Sequence, residues 1–258
     1  MRLKKWLGTA WLITAFSGLC AAQSLTVAAA ADLQAAMPEL VAQYQKASGK
    51  SVQVVYGSSG NFYQQIQNGA PFDVFFSANL DYAKRLEASG LAEPGSLYEY
   101  ATGKIVLWVP NDSKLDVKDG LKSLLAPAAR KIAIANPEHA PYGQAAVAAL
   151  KKENLYDPLK DKFVLGENIS QAASFVLGGS ADAGIVALAL ALSPNMKDKG
   201  RYYEIPGADY PPIEQAAVIV KASEKKAEAK AFLDYMKSMP ARELLKRYGF
   251  AVPEAKAP

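Results

Sequence analysis

The sequence predicts an α/β fold with two lobes. Short apolar runs of strand-forming residues alternate with segments whose apolar residues recur at helical spacing, and this pattern begins again after about residue 105. Such alternation predicts mostly parallel sheets with helices on both faces. About 236 residues remain once a leader is removed, which is enough for two lobes of about 100 residues each.

The first 22 residues have the pattern of a secretory signal peptide. Three basic residues precede an apolar run over residues 6–22, and the small residues at its end favour cleavage after Ala22. A lipid anchor on Cys20 is the alternative, but Leu19 stands where a lipobox normally has Gly, Ala or Ser. We therefore expect an exported protein without a lipid anchor.

The mature chain is close to neutral. Removal of Arg2, Lys4 and Lys5 lowers the formal net charge from +4 to +1, and charges of both signs are mixed along the rest of the chain. This distribution does not favour binding to nucleic acid or to an anionic membrane surface. The only cysteine lies in the leader, so the mature chain can form neither a disulfide nor a thiolate metal site.

In the first lobe, apolar strands are followed by helices. The strands are predicted at residues 25–29, 52–56 and 74–77, and the helices at residues 33–47, 61–68 and 81–89. A later strand at residues 215–220 leads into helices at residues 225–236 and 241–248. We expect these C-terminal elements to return to the first lobe.

The second lobe begins with a β-rich run at residues 103–109, closed by Pro110. Its further strands are predicted at residues 132–135, 163–165 and 184–187, and its helices at residues 144–153 and 170–177. We expect lobe 1 to comprise residues 23–104 and about 207–258, and lobe 2 about 105–206. Two connections between lobes predict a hinged cleft with its ligand at the carboxyl ends of the strands.

The most informative junction is Gly-Ser-Ser-Gly at residues 57–60, between a strand and a helix. Backbone N–H groups at a helix start have no intrahelical partner, and the helix dipole adds positive potential, so this loop can surround an oxyanion with neutral donors. The alternative is a turn that is merely flexible. Three junctions of similar type, at residues 30–33, 136–143 and 166–169, favour an anion site.

A serine hydrolase is the main enzymatic alternative. It would require His139, the only histidine, and residues 57–61 depart from the Gly-x-Ser-x-Gly pattern because position 61 is Asn. Composition also excludes a thiolate or multi-histidine metal centre and leaves only carboxylate sites of the Mg or Ca type. We expect no catalytic residue, no enzyme activity and no cofactor.

Six segments spread over nearly the whole mature chain carry a family resemblance. They are Ala-Ala-Asp-Leu at 30–33, Gly-Ser-Ser-Gly at 57–60, Gly-Ala-Pro-Phe-Asp-Val-Phe-Phe-Ser-Ala at 69–78, Asn-Pro-Glu-His-Ala-Pro-Tyr-Gly at 136–143, Gly-Ile-Val-Ala at 184–187 and Lys-Arg-Tyr-Gly-Phe at 246–250. Through them the chain resembles the periplasmic molybdate-binding proteins of ABC transporters. The resemblance implies a periplasmic monomer with a two-lobed periplasmic-binding-protein fold of type II. It also implies a cleft that closes over molybdate or tungstate, and delivery of that anion to an ABC permease.

The same resemblance assigns the anion contacts. They fall on Ala31, Asp32, Ser58, Ser59, Tyr142 and Ile169. Tyr142 and Ile169 are expected to use their backbone N–H groups, and no side chain is expected to ligate a metal directly. A further tyrosine that some members use is Ala187 here, and the phenol of Tyr142 is expected to replace it.

Asp32 departs from the family pattern, because many members have Ser at this position. Two like charges about 4 Å apart at an effective dielectric constant near 20 repel by around 4 kcal/mol. One interpretation is that Asp32 caps its own helix and supplies only its N–H to the anion. The other is that Asp32 accepts a hydrogen bond from a protonated anion, or is itself protonated and donates one. Phosphate or sulfate therefore stays open as the alternative ligand.

Overall fold

The computed structural model describes residues 24–254, and these residues form two five-stranded sheets. The predicted signal peptide, its cleavage site and Cys20 lie outside the described residues. The strands are β1 (Leu25–Ala30), β2 (Val52–Gly57), β3 (Val74–Ser77), β4 (Tyr98–Gly103), β5 (Ile105–Pro110), β6 (Ile132–Ala135), β7 (Phe163–Gly166), β8 (Ala183–Ala187), β9 (Gly200–Glu204) and β10 (Ile213–Ile219).

Helices connect and cover these strands. The α-helices are α1 (Met37–Ser48), α2 (Ser59–Gln67), α3 (Leu80–Ala88), α4 (Pro141–Lys152), α5 (Tyr156–Leu159), α6 (Ile169–Leu177), α7 (Leu188–Ala191), α8 (Lys226–Met236) and α9 (Met239–Arg247). Short 3-10 helices lie at Ala31–Gln34, Val117–Leu125, Lys160–Lys162 and Gly207–Asp209. No helix within residues 24–254 has the length and apolar character needed to cross a bilayer.

The first sheet has the strand order β2-β1-β3-β10-β4. Strands β1, β2 and β3 pair in parallel, and β10 runs antiparallel to both of its neighbours. Apolar side chains of α1, α8 and α9, such as Leu40, Phe232 and Leu244, cover one face, and those of α2 and α3, such as Phe62 and Leu86, cover the other. The C-terminal helices α8 and α9 thus pack on the first sheet.

The second sheet has the order β7-β6-β8-β5-β9, with β5 antiparallel to β8 and β9. Its core includes Trp108, which is 1% exposed and pairs with Gly184 of β8 and Tyr202 of β9. Although β5 directly follows the crossing from the first lobe, Trp108 lies in the interior of the second lobe and not between the lobes.

The chain crosses between the sheets twice, at Lys104 and between β9 and β10. The carboxyl ends of β1 and β2 in one sheet, and of β6 and β7 in the other, lead into the four junctions that the sequence singles out. The predicted α/β fold with two lobes is therefore confirmed. Strands β4 and β9 were not predicted; both lie at sheet edges, and their polar residues hide the apolar pattern of a strand.

Asp73 is a buried carboxylate that stabilises the first lobe. Its Oδ2 accepts a hydrogen bond from the backbone N–H of Thr26 at 2.7 Å, and its Oδ1 accepts one from the Ser223 hydroxyl at 2.7 Å. Lys225 Nζ lies 3.3 Å from Oδ2. A buried charge with this set of partners is a structural anchor between β1, β3 and the segment before α8.

Candidate anion-binding site

A small cavity lies between the lobes, at the ends of the strands. We call it the cleft cavity; its lining residues are Ala30, Ala31, Asp32, Gly57, Ser58, Ser59, Ala78, Ala140, Pro141, Tyr142, Asn168 and Ile169. The volume of this cavity that is open to the centre of a water molecule is about 10 Å³. All six predicted contact residues line this cavity and are buried. Their contact with an anion stays a prediction.

Helix starts from both lobes surround the cavity. The first residues of α2, α4 and α6 are Ser59, Pro141 and Ile169, and a 3-10 helix begins at Ala31. The N–H groups of a first helical turn lack intrahelical acceptors and carry positive potential. No Lys or Arg is among the lining residues. The site therefore offers an anion neutral hydrogen-bond donors.

Ser59 is positioned to donate its hydroxyl hydrogen. The backbone N–H of Ala78 donates to Ser59 Oγ at 2.9 Å, and Ser59 is 1% exposed. Within residues 24–254 the Ser59 hydroxyl has no acceptor of its own. The contact with Ala78 fixes the oxygen and leaves the hydrogen available to a ligand in the cleft cavity.

Ser58 instead joins the two lobes. Its hydroxyl donates to the backbone carbonyl of His139 at 2.5 Å, and His139 Nδ1 lies 3.0 Å from Ser58 Oγ. Because the serine hydrogen is already used, Nδ1 carries the hydrogen and donates to Ser58. The backbone N–H of Gly60 also donates to the His139 carbonyl, at 3.0 Å. The backbone carbonyl and the side chain of His139 thus both contact the other lobe, which indicates a structural role for this residue.

Two further polar contacts cross between the lobes. Asn61 Nδ2 donates to Glu167 Oε1 at 2.9 Å, and the Ser170 hydroxyl donates to Gln34 Oε1. Both contacts are exposed, whereas the contact between Ser58 and His139 is partly buried. The lobes are therefore in a closed arrangement in which polar contacts from the ends of several helices meet.

A buried polar network joins Asp32 to the opposite lobe. Asp32 Oδ2 accepts hydrogen bonds from the Tyr142 hydroxyl at 2.8 Å and from Gln215 Nε2 at 2.7 Å. The Tyr100 hydroxyl donates to Gln215 Oε1 at 2.7 Å. A Cβ at Gly103 would lie 2.1 Å from the Tyr142 hydroxyl oxygen, so the close approach of this phenol requires glycine.

This network corrects two expectations about the site. The 3-10 helix at Ala31–Gln34 has Ala30 at its N-cap and no side-chain cap, so the interpretation of Asp32 as a capping residue is wrong. The phenol of Tyr142 was expected to donate to the anion in place of the tyrosine missing at Ala187. It donates to Asp32 instead, and its oxygen accepts from Gln215 Nε2 at 2.9 Å.

Burial sets the protonation of this network. It raises the pKa of Asp32 from its ordinary value of 3.8 to about 6, although hydrogen bonds from Gln215, Tyr142 and nearby backbone N–H groups lower it in part. Burial and the charge of Asp32 hold the pKa of Tyr100 and Tyr142 well above their usual range, so both phenols stay neutral. Asp32 Oδ1 is buried and has no hydrogen-bond partner within residues 24–254.

Gln215 and Tyr100 were not among the predicted site residues. Gln215 is 0% exposed on β10, between the exposed Glu214 and the buried Ala216, and a fully buried amide is unusual. The sequence alone does not show which of the two neighbouring polar residues, Glu214 or Gln215, is buried. In the part of the chain that the structure describes, no group of three or more His, Cys, Asp or Glu side chains could hold a metal ion.

Comparisons with known proteins agree with this geometry. A family model described as bacterial extracellular solute-binding protein matches residues 25–251. The molybdate-binding protein ModA of Azotobacter vinelandii is 40% identical over 235 residues, which are 90% of this chain and 92% of that protein. The molybdate-binding protein ModA of Rhodobacter capsulatus is 38% identical over 230 residues, 89% of each chain. A solved structure of the Azotobacter vinelandii periplasmic molybdate-binding protein matches with a TM-score of 0.85 at 38% identity, covering 90% of this chain and all of that one.

Proposed function

Because the chain belongs to the bacterial extracellular solute-binding protein family, we propose that it binds molybdate in the cleft cavity and delivers it to an ABC permease. The observation that carries this proposal is the cavity itself. It is small, is lined by residues of both lobes, and presents helix-start N–H groups and the Ser59 hydroxyl without a Lys or Arg. These features suit a compact oxyanion and are unsuited to a sugar or an amino acid.

Binding proceeds by closure of the cleft. The anion first meets the donors of one lobe, and the hinge then brings the N–H groups of the other lobe around it. Expulsion of water strengthens each hydrogen bond. Neutral N–H and O–H donors satisfy only acceptor oxygens, so they favour a fully deprotonated anion. Cavity size must then separate molybdate and tungstate from the smaller sulfate.

The remaining features of the proposal follow from this role. The protein acts as a periplasmic monomer, without a resident cofactor and without enzyme activity. Tungstate is a second ligand, because it has the same tetrahedral shape and charge as molybdate. His139, the one histidine in the sequence, contacts Ser58, but the Ser58 hydroxyl donates to the His139 backbone carbonyl and not to the imidazole. The imidazole is therefore not placed as the base of a serine nucleophile, and this supports a binding protein over a serine hydrolase.

Calorimetric titration of the ligand-free mature protein with molybdate, tungstate, sulfate and phosphate tests the function. Heat is preferred to fluorescence as the signal, because Trp108 is buried inside one lobe. We expect tight binding of molybdate and tungstate and no binding of sulfate or phosphate. Phosphate binding would instead favour the alternative in which ionised Asp32 accepts a hydrogen bond from hydrogen phosphate, and no binding of any oxyanion would reject the proposal.

Ser59→Ala is expected to weaken molybdate binding by about 1 to 3 kcal/mol, because a hydrogen bond to a charged group is lost. The matched control is Ser123→Ala, which removes a similarly buried hydroxyl that donates to the Gly120 carbonyl at 2.7 Å and does not line the cleft cavity. The dissociation constant of the control should equal that of the wild type. An unchanged constant for Ser59→Ala would remove Ser59 from the site.

A further inference from the structure

Asp32 presents an electrostatic problem at the proposed site. It is 0% exposed, lines the cleft cavity and belongs to a closed arrangement that would hold a dianion. Its two side-chain donors, Tyr142 and Gln215, are neutral, and so are the backbone N–H groups of Asp32 and Leu33 near its carboxylate. A carboxylate here would have to stay ionised beside two further negative charges in a site that excludes water. Such an arrangement is repulsive, and the repulsion grows as the effective dielectric constant falls.

The hydrogen bonds of Asp32 indicate where a proton would bind. Oδ2 already accepts two hydrogen bonds, at 2.8 and 2.7 Å. Oδ1 is buried and has no partner within the described residues. A proton on Oδ2 would face two side-chain donors, whereas no side chain donates to Oδ1. The neutral form of Asp32 therefore carries its hydrogen on Oδ1, and Asp32 lines the cleft cavity.

We propose that Asp32 takes up one proton from solvent when the cleft closes over the oxyanion, and that its Oδ1 hydroxyl then donates a hydrogen bond to the anion. This inference rests on the proposed function. Asp32 becomes a specificity-determining residue that is repulsive when ionised and attractive when protonated. The bound complex contains the dianion together with one extra proton, which returns to solvent when the anion is released.

The groups around Asp32 allow this protonation. The elements that pack around its segment carry these titratable or charged residues: Glu39, Tyr44 and Lys46 on α1, Tyr56 on β2, Tyr63 on α2, Tyr98, Glu99 and Tyr100 on β4, Tyr142, Lys151 and Lys152 on α4, Glu214 on β10, and His139 in the loop before α4. Helices α6 and α7 contribute none. Burial and hydrogen bonds, rather than any cationic side chain, set the pKa of Asp32 at about 6, and a bound dianion would raise it further.

The test is a count of the protons taken up with molybdate. Calorimetric titrations at each pH between about 5.5 and 8 are repeated in buffers that differ in ionisation enthalpy. For the wild type we expect uptake approaching one proton per molybdate above about pH 7. We also expect a dissociation constant that rises about tenfold per pH unit above about pH 6. Asp32→Asn should bind molybdate without proton uptake and with an affinity that does not depend on pH in this range.

Two control variants separate Asp32 from other titratable groups of the cleft. Glu167→Gln makes the same change from carboxylate to amide at an exposed contact between the lobes, and His139→Gln removes the imidazole bonded to Ser58. Both should keep the proton uptake of the wild type, whatever their affinity. Uptake that persists in Asp32→Asn, or that disappears in His139→Gln, would overturn the inference.

The wild-type titration distinguishes this inference from the proposed function without relying on any variant. Tight molybdate binding with no proton uptake at any pH would overturn the role of Asp32 and leave molybdate binding intact. Absence of molybdate binding would overturn both. Tight binding with proton uptake that depends on Asp32 supports both.

Discussion

Gly60→Ala is expected to weaken molybdate binding by about 1 to 3 kcal/mol, or about 5- to 150-fold, without destabilising either lobe. A Cβ at Gly60 would lie 2.6 Å from the backbone oxygen of His139 and 3.0 Å from its Cα. These atoms belong to the opposite lobe, and backbone atoms cannot rotate away as a side chain can. Separation of the lobes relieves the clash. The substitution therefore acts against the closed arrangement.

Gly60→Ala should not lower the stability of the ligand-free protein, although it weakens binding. Gly60 lies in the first turn of α2 without a positive φ, and alanine in a helix is favoured over glycine by roughly 0.5 to 1 kcal/mol. The free energy of unfolding of the ligand-free variant should therefore stay equal or rise. Loss of affinity together with unchanged stability would be difficult to attribute to misfolding.

Calorimetry measures the affinity, and small-angle scattering measures whether molybdate still compacts the variant. The matched control is Gly207→Ala, because a Cβ at Gly207 meets no atom within 4 Å. This control should bind and close like the wild type. If Gly60→Ala bound molybdate as tightly as the control, the contact between Gly60 and His139 would not be part of the liganded state.

The positions of the binding loops could be predicted because their signals are local. The apolar strands β1, β2, β6 and β7 and the small or polar residues that follow them are visible in single stretches of sequence. Helix starts were less accurate: α4 begins at Pro141 rather than at residue 144, because proline occupies the first helical position, where its missing N–H removes no hydrogen bond. Similarly, α2 begins at Ser59 rather than at residue 61.

The partners of the site residues could not be predicted in the same way. Asp32 and Gln215 are 183 residues apart in sequence, and Ser58 and His139 are 81 apart. Such pairs depend on the arrangement of strands and on the closure of the lobes. Neither can be deduced from the spacing of apolar residues along the chain. This explains why Asp32 was interpreted through the nearest helix, as a cap, when its hydrogen bonds lie with Gln215 and Tyr142.

Asp32→Asn is expected to raise the free energy of unfolding of the ligand-free protein at about pH 7.5 by about 1 to 3 kcal/mol. The pKa of Asp32 is about 6 in the folded protein against 3.8 ordinarily, so the folded state binds more protons between these two values. Stability therefore falls as the pH rises through this window, and the full loss of about 3 kcal/mol is present above it. Asparagine avoids that loss, although its buried amide hydrogens offset part of the gain.

Asp73→Asn provides the matched comparison, because it makes the same chemical change at the other buried carboxylate. Asp73 accepts hydrogen bonds from Thr26 and Ser223 and has Lys225 at 3.3 Å, so loss of its charge should lower the free energy of unfolding by about 1 to 3 kcal/mol. Urea denaturation of both variants and the wild type from about pH 4 to pH 8 measures the two effects. A gain in Asp32→Asn that did not shrink towards pH 4 would contradict its electrostatic origin.

Opposite results for these two carboxylates would separate structural from functional burial. Asp73 has a cation and stabilises the lobe in which it lies. Asp32 has only neutral donors, is destabilising when ionised, and lies where a dianion is proposed to bind. A residue that lowers stability in this way is typical of a functional site, because a group whose pKa is shifted by its surroundings can change its protonation when a ligand binds. The pH-dependent stability measured without molybdate and the proton uptake measured with it would then both result from the raised pKa of Asp32.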